Sequence, residues 1–369
     1  MRKHNPKNER IKRDYLAYLT EAKRMNSKTV DQVAASLALF EASTAYKDFK
    51  AFHIEQARRF KRILMEEPSS ETGKLLSKAT IHSRLMAVKA FFQWLAGLPG
   101  YRSKIHYADA EYFNPSANDS RIANASREKP VPSVEQIRHV IAAMPNVTDI
   151  QKRNRALIAF TLLSGARDDA IASLSIRHID RKARTIFQDA RTVRTKARKT
   201  ISSWFFPVGE DIETIVDEWI THLTQNLMLG PDDPLFPKTA IAVGESGGFE
   251  AIGLERKHWT TAGPIRKIFR ESFEGAGLPY FNPHSFRNTL ALMGERICPN
   301  AEVLKAWSQN LGHEKVLTTL TSYGKVASHR QAEIFADLRK NPQNPGTSET
   351  PDPATIKRVM DHISRQLAQ

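Results

Sequence analysis

The chain carries a single cysteine, Cys298, which rules out an internal disulfide framework and a Cys-based zinc cluster. No apolar run approaches the roughly 20 residues needed to span a bilayer. The N-terminal MRKHNPKNERIKR has no apolar stretch behind its basic residues, so it does not read as a secretory signal. No internal repeat and no Walker-type phosphate loop is present, and no Asp/Glu cluster suits Mg²⁺. Acidic residues are also short: 40 Asp and Glu face 55 Lys and Arg, leaving a formal charge of +15. A surplus of that size needs a polyanionic counter-surface. With membrane disfavoured by the missing apolar segments, nucleic acid is the expected partner of a soluble, cytoplasmic protein. Composition alone fits a ribosomal factor or a repressor equally well.

With 369 residues, 41% of them hydrophobic and 26% charged, a packed protein of two domains is expected. The first third reads as helices. Arg10 to Arg24 is polar and basic, a weak surface helix or an arm. Ser27 is placed to cap a helix from Lys28 to Ala42, striped by Val30, Val33, Leu37 and Leu39. Ile54 to Met65 puts Ala57, Phe60, Ile63 and Leu64 on one face. Ala79 to Leu95 is the clearest, with Ile81, Leu85, Val88, Phe92 and Leu95 at helical spacing. Lys78, His82 and Lys89 line one flank of that helix and are candidate DNA contacts. A solvated charged face is the bland alternative for each.

Residues 116–131 are poor in apolar side chains and rich in turn formers, as an interdomain linker would be. Domains are therefore expected at 1–115 and 132–340. Ser133 and Gln136 have capping-box spacing at the start of the second domain. There, an apolar helix Arg153 to Ser164 ends at Gly165. A strand near Thr185–Phe187, a basic turn and a strand Ile201 to Val208 form a hairpin. Few strands among many helices argue an α+β, mostly helical fold with a small antiparallel sheet. Ala240 to Gly253 reads as a surface loop. Residues 341–369 form a linker and a final amphipathic helix striped by Ile356, Val359, Met360, Ile363 and Leu367. That stripe needs a docking groove, either in this chain or on a neighbouring protomer.

Three segments could carry chemistry. Ser164-Gly165-Ala166-Arg167 sets an arginine on a tight turn behind a buried helix. Pro283-His284-Ser285-Phe286-Arg287 opens a helix on which His284 and Arg287 share a face, with the free N–H groups of a helix start beside them. Leu311-Gly312-His313 is followed ten positions later by Tyr323. Each motif alone is commonplace. Their order, on a strongly basic chain with a helical domain in front, is not.

Arg167, a hairpin lysine, His284-x-x-Arg287, Leu311-Gly312-His313 and Tyr323 in that order resemble the tyrosine recombinase (phage integrase) family. Gly165-Ala166-Arg167 running on to Leu174 and Ile179-Asp180 is similar to its first arginine box, and His284 to Tyr323 to its second. The resemblance covers about Pro132 to Ala336 and implies a helical core-binding (SAM-like) domain ahead of the catalytic domain. It implies a site-specific integrase in which Tyr323 attacks the scissile phosphate of double-stranded DNA, leaving a 3′-phosphotyrosine and a 5′-hydroxyl. Two guanidinium forks, Arg167 and Arg287, suit the phosphate oxygens. A phenol needs positive surroundings and a base to become a nucleophile. His284 is the candidate base, and His313 the donor to a phosphate oxygen. Lys196 is the candidate general acid, with Lys199 also open. The bond energy is kept in the phosphotyrosine, so neither metal nor ATP is expected. The resemblance further implies a tetramer on two duplexes, associated with the nucleoid when bound.

Two positions depart from the family pattern. Ala170 stands where an acidic residue usually follows the first arginine, with Asp168 and Asp169 before it. The His313-to-Tyr323 spacing is one residue longer than the commonest. A type IB-like topoisomerase and a non-cleaving regulator with the same fold are the competing readings. Helical core-binding sequence begins within the first thirty or so residues. A large separate N-terminal arm-binding domain is therefore not expected, and an integrase of a bacterial mobile element fits best.

Overall fold

Helix-start residues fall where the N-terminal helices begin. Asn5, Asn26 and Ser77 each accept a backbone N–H of the first turn, satisfying donors that the helix itself cannot. These caps open α1 (Pro6–Glu21), α2 (Ser27–Ser43) and α4 (Lys78–Ala96), while α3 (Ile54–Glu66) opens on a capping box of His53 and Gln56. The computed structural model describes residues 4–68, 73–124, 130–244, 247–313 and 336. It divides into two compact units, residues 1–126 and 127–369.

The core of the first unit is aromatic: Phe40, Phe49, Phe52, Phe60, Phe91, Phe92 and Phe113 are buried, and the Phe52 and Phe92 rings stack at 4.1 Å. The stretch Arg10–Arg24, expected as a weak surface helix or an arm, is largely helical and is instead part of this core. Helix α1 starts earlier, at Pro6, and buries Asn8, Tyr15 and Leu19. Asn8 explains the difference, because its amide donates to Glu41 and to the Lys47 carbonyl, both at 2.8 Å, and accepts from Phe49 N. Polar residues thus do packing work that a hydropathy pattern does not register. The stretch expected as a linker at 116–131 also holds a short helix, α5 (Ala117–Asn124), tied to α4 by a Lys78–Asp119 ion pair at 2.7 Å.

The second unit is built around α7 (Asp149–Ser164), whose residues from Ala156 to Ser164 are all buried. The helix starts a turn before the expected Arg153, at a Thr148–Gln151 capping box. Around it lie α6 (Val134–Ala143), opened by the expected Ser133–Gln136 box, α8 (Asp168–Ile171) and α9 (Glu210–Thr221), which runs into a π turn at His222–Asn226. Helices α10 (Gly263–Gly275), α11 (Pro283–Ile297) and α12 (Ala301–Asn310) follow in the chain. Strands β1 (Ile179–Asp180), β2 (Thr185–Gln188) and β3 (Ile201–Trp204) form an antiparallel sheet in that order, with Thr185 opposite Trp204 and Gln188 opposite Ile201. The third strand is shorter than expected because the chain leaves the sheet after Trp204 and buries Phe206 and Val208 in the core.

Ala240 to Gly253 is not a loop. Strands β4 (Lys238–Val243) and β5 (Phe249–Glu255) pair as a hairpin with a bulge at Ala240/Ile241. The bulge and the interspersed glycines break the alternation by which strands are recognised. Tyr323 and the amphipathic tail beyond Asn341 lie outside the described residues.

Candidate active site

Gly165 ends α7 in the left-handed region, with φ +58°, a conformation that glycine adopts without steric cost. It is also crowded: a β-carbon there would meet side-chain atoms of Leu311 at 3.0 Å and of Leu290 and Phe206 at 3.1 Å. The turn it allows returns the chain to extended backbone at Arg167, the residue that precedes α8. Arg167, the candidate first arginine, is thus set on the rim of the core, half-buried.

Arg287 comes from α11 and is only 2% exposed. Its guanidinium donates to the carbonyl of Gly165 and to that of Leu311. It also lies 3.1 Å from Nε2 of His313. One side chain thereby joins the turn after α7 to the turn after α12. The second turn is a Schellman cap: Gly312, at φ +69°, donates to the Gln309 carbonyl at 2.7 Å, and His313 N donates to the Ser308 carbonyl at 3.2 Å. His284 sits in the first turn of the same α11, after the Asn282 cap, on its exposed side.

Lys196 begins the turn between β2 and β3, where Ala197 and Arg198 both take left-handed backbone. Its charge reaches both histidines. The His313 imidazole is pushed down to about 4, by loss of solvation first and then by Arg287, Arg167, His284 and Lys196. His284 is lowered for the same leading reason, then by Arg287 and Arg167, with Asp168 opposing and Lys196 adding to the effect. The fold therefore brings Arg167, Lys196, His284, Arg287 and His313 together around one electropositive spot, whereas Tyr323 lies outside the described residues.

The helical-unit candidates are placed differently. Lys78 is paired with Asp119, and Lys89 with Glu111 and the Asn114 side chain, both at 2.9 Å. His82 is half-buried. Sequence reasoning missed three contacts that shape the site. Asp169 pairs with Arg194 at 3.1 Å, Asp168 with Arg266 at 2.8 Å, and Asn310 binds the backbone of Trp204. Ala170, in place of the usual acid, is buried at 1%. No spacing in the sequence links these partners, which lie 25 or more positions apart. Among the described residues no group of three or more His, Cys, Asp or Glu side chains could hold a metal ion.

The sequence model of the phage integrase family matches residues 133–330, which span this site and more than half of the chain. The chain belongs to the phage integrase family, the tyrosine-type site-specific recombinases. Among similar proteins, the tyrosine recombinase XerC of Halalkalibacterium halodurans is 22% identical over 329 residues, covering 87% of this chain and 94% of that one. Among solved structures, a lambda integrase fragment bound as a dimer to a COC′ core site superposes with a TM-score of 0.58 at 10% identity, covering 87% of this chain and 99% of that one. The Tn1549 transposon integrase in complex with circular intermediate DNA gives 0.57 at 14% identity, covering 89% and 99%. At these identities the structural likeness establishes the fold, which is mostly helical with small antiparallel sheets.

Proposed function

We propose that this recombinase cuts and rejoins duplex DNA through a 3′-phosphotyrosine at Tyr323, with Arg167, Lys196, His284, Arg287 and His313 acting on the same phosphate. The observation that carries the proposal is the convergence of three cations on two imidazoles. Arg287 also holds two carbonyls of the fold, but a phosphodiester gaining negative charge is what rewards the cluster as a whole.

The geometry supports a division of labour. A guanidinium has donors and no acceptor, so His313 Nε2 must accept from Arg287. Its proton then sits on Nδ1, the nitrogen that would donate to a non-bridging oxygen. His284, held below the usual imidazole range, is neutral at pH 7 and able to take the phenolic proton. Tyr323 Oη would bond to phosphorus while the bond to the 5′ oxygen breaks, and Lys196 would hand that oxygen its proton. Rejoining reverses each step, so the phosphotyrosine conserves the bond energy. Arg167, half-buried, carries a guanidinium suited to fork onto the phosphate.

The unit of action is a tetramer on two duplexes, held partly by the tail stripe Ile356, Val359, Met360, Ile363 and Leu367 docking on a neighbouring protomer. Its task is integration of a mobile element in the cytoplasm, in keeping with the transposon and lambda integrases among its structural relatives. Purified full-length protein incubated with sheared genomic DNA of its source, then treated with SDS, should retain fragments whose sequencing reveals the site. On a nicked duplex of that site the adduct should form, and it should vanish in Tyr323→Phe while binding persists. No adduct on a bound site would sink the proposal. Adduct with supercoil relaxation on any sequence and no strand exchange would instead mark a topoisomerase.

A further inference from the structure

Arg194 stands two residues before Lys196, and two of its three contacts lead back to the short helix that follows Arg167. Its backbone N–H donates to Ser173 Oγ at 2.9 Å. Its Nε donates to Asp169 Oδ1 at 3.1 Å, and its Nη2 to the Trp259 carbonyl at 2.8 Å. Asp169 lies in α8, two residues after Arg167, and Ser173 follows the same short helix. Beyond Arg194 the turn is closed by Arg198 N donating to the Thr195 carbonyl at 3.1 Å. Lys196, Ala197 and Arg198 are exposed, and the last two are left-handed. The Arg194–Asp169 pair is itself about one-third exposed on each side, and pairs of that kind add little to stability. Its two-directional geometry is more distinctive, since a planar fork can reach a carboxylate and a carbonyl at once where an ammonium gives only a point charge.

We propose that Arg194 is a positioning residue: through Asp169 and the Trp259 carbonyl it fixes the Lys196 turn relative to the turn that bears Arg167, so that the lysine proton reaches the leaving 5′ oxygen of a phosphate held by Arg167. The inference rests on Lys196 being the general acid. Misplacing an acid by about 1 Å costs on the order of 100-fold in rate, so a weak but directional pair is sufficient to matter.

The test compares two nicked duplexes of the site, one with the natural scissile phosphate and one with sulfur in place of the bridging 5′ oxygen. A thiolate leaves without being protonated, so the sulfur substrate needs no general acid. Single-turnover adduct formation by Lys196→Ala should fall roughly 10²–10⁴-fold on oxygen and recover on sulfur. Arg194→Ala should fall about 10–100-fold on oxygen and return to within about threefold of wild type on sulfur, with Arg194→Lys in between. Gel-shift binding of the site confirms folding, and Asp169→Ala carries the same test from the other side if Arg194→Ala does not fold. If Lys196→Ala is rescued by sulfur but Arg194→Ala is equally slow on both substrates, or unimpaired on oxygen, the positioning role is overturned alone. If Lys196→Ala is not rescued, the assignment of the general acid falls and the positioning role falls with it.

Discussion

Asn310 completes the edge of strand β3: its side-chain oxygen accepts from Trp204 N at 2.7 Å, and its amide nitrogen donates to the Trp204 carbonyl at 2.9 Å. The last residue of α12 thus imitates a neighbouring strand. It ties α12, whose following turn bears His313, to the hairpin that carries Lys196. Asn310→Ala should lose both bonds, at about 1 kcal/mol each or less in this exposed setting. A differential scanning measurement should show a fall of roughly 2–6 °C in the melting temperature of the second unit. Asn310→Asp keeps the acceptor alone and should fall between the two.

Gly165→Ala should be far more damaging. The left-handed backbone costs an L side chain about 1–2 kcal/mol, and pressing a methyl against Leu311, Leu290 and Phe206 adds roughly 1–3 kcal/mol. Denaturant unfolding should show a lower midpoint with an unchanged slope. A midpoint equal to wild type would mean that the turn relaxes freely, against the packing described.

The pH response follows from His313. Its folded value of about 4 lies below the ordinary 6.5, so between those values the unfolded chain binds the extra proton. Stability is therefore highest above about 6.5 and declines as pH falls toward 4. His284, also lowered, adds in the same direction. His313→Gln should flatten this dependence. Bound DNA phosphate brings negative charge, so NMR of the ring should show His313 titrating at higher pH in the complex than in the free protein.

Deleting residues 342–369 should leave binding to a single site intact while impairing the pairing of two sites and strand exchange. Native gel analysis with one and two duplexes separates these effects. Unchanged recombination would remove the tail from the proposed assembly.

Much of this was readable in the sequence because it depends on local rules. The Ser133–Gln136 box, the Gly165 stop and the hairpin around Lys196 each follow from neighbours within a few positions. Contacts between distant positions were not readable. Asn8 looks like a surface residue until Glu41, Lys47 and Phe49 close around it. Lys89 looks like a free cation until Glu111 arrives. The hairpin at 238–255 was hidden because Ile241, Val243 and Phe249 stay exposed, and a strand without a buried face lacks the pattern that identifies one. The motifs named the candidate residues, but not that Arg287 would be spent partly on two carbonyls.

The sealed position of Arg287 bears on how such an enzyme could decay. A descendant that only bound DNA could discard the exposed Lys196 or His284 with little injury to its fold. It could not so readily discard Arg287, because two buried carbonyls would lose their donor, at a cost of about 1–3 kcal/mol each. Loss of cutting in this scaffold should therefore begin at the solvent-facing groups. An arginine retained at this position would then be a relic of architecture and no guarantee of activity.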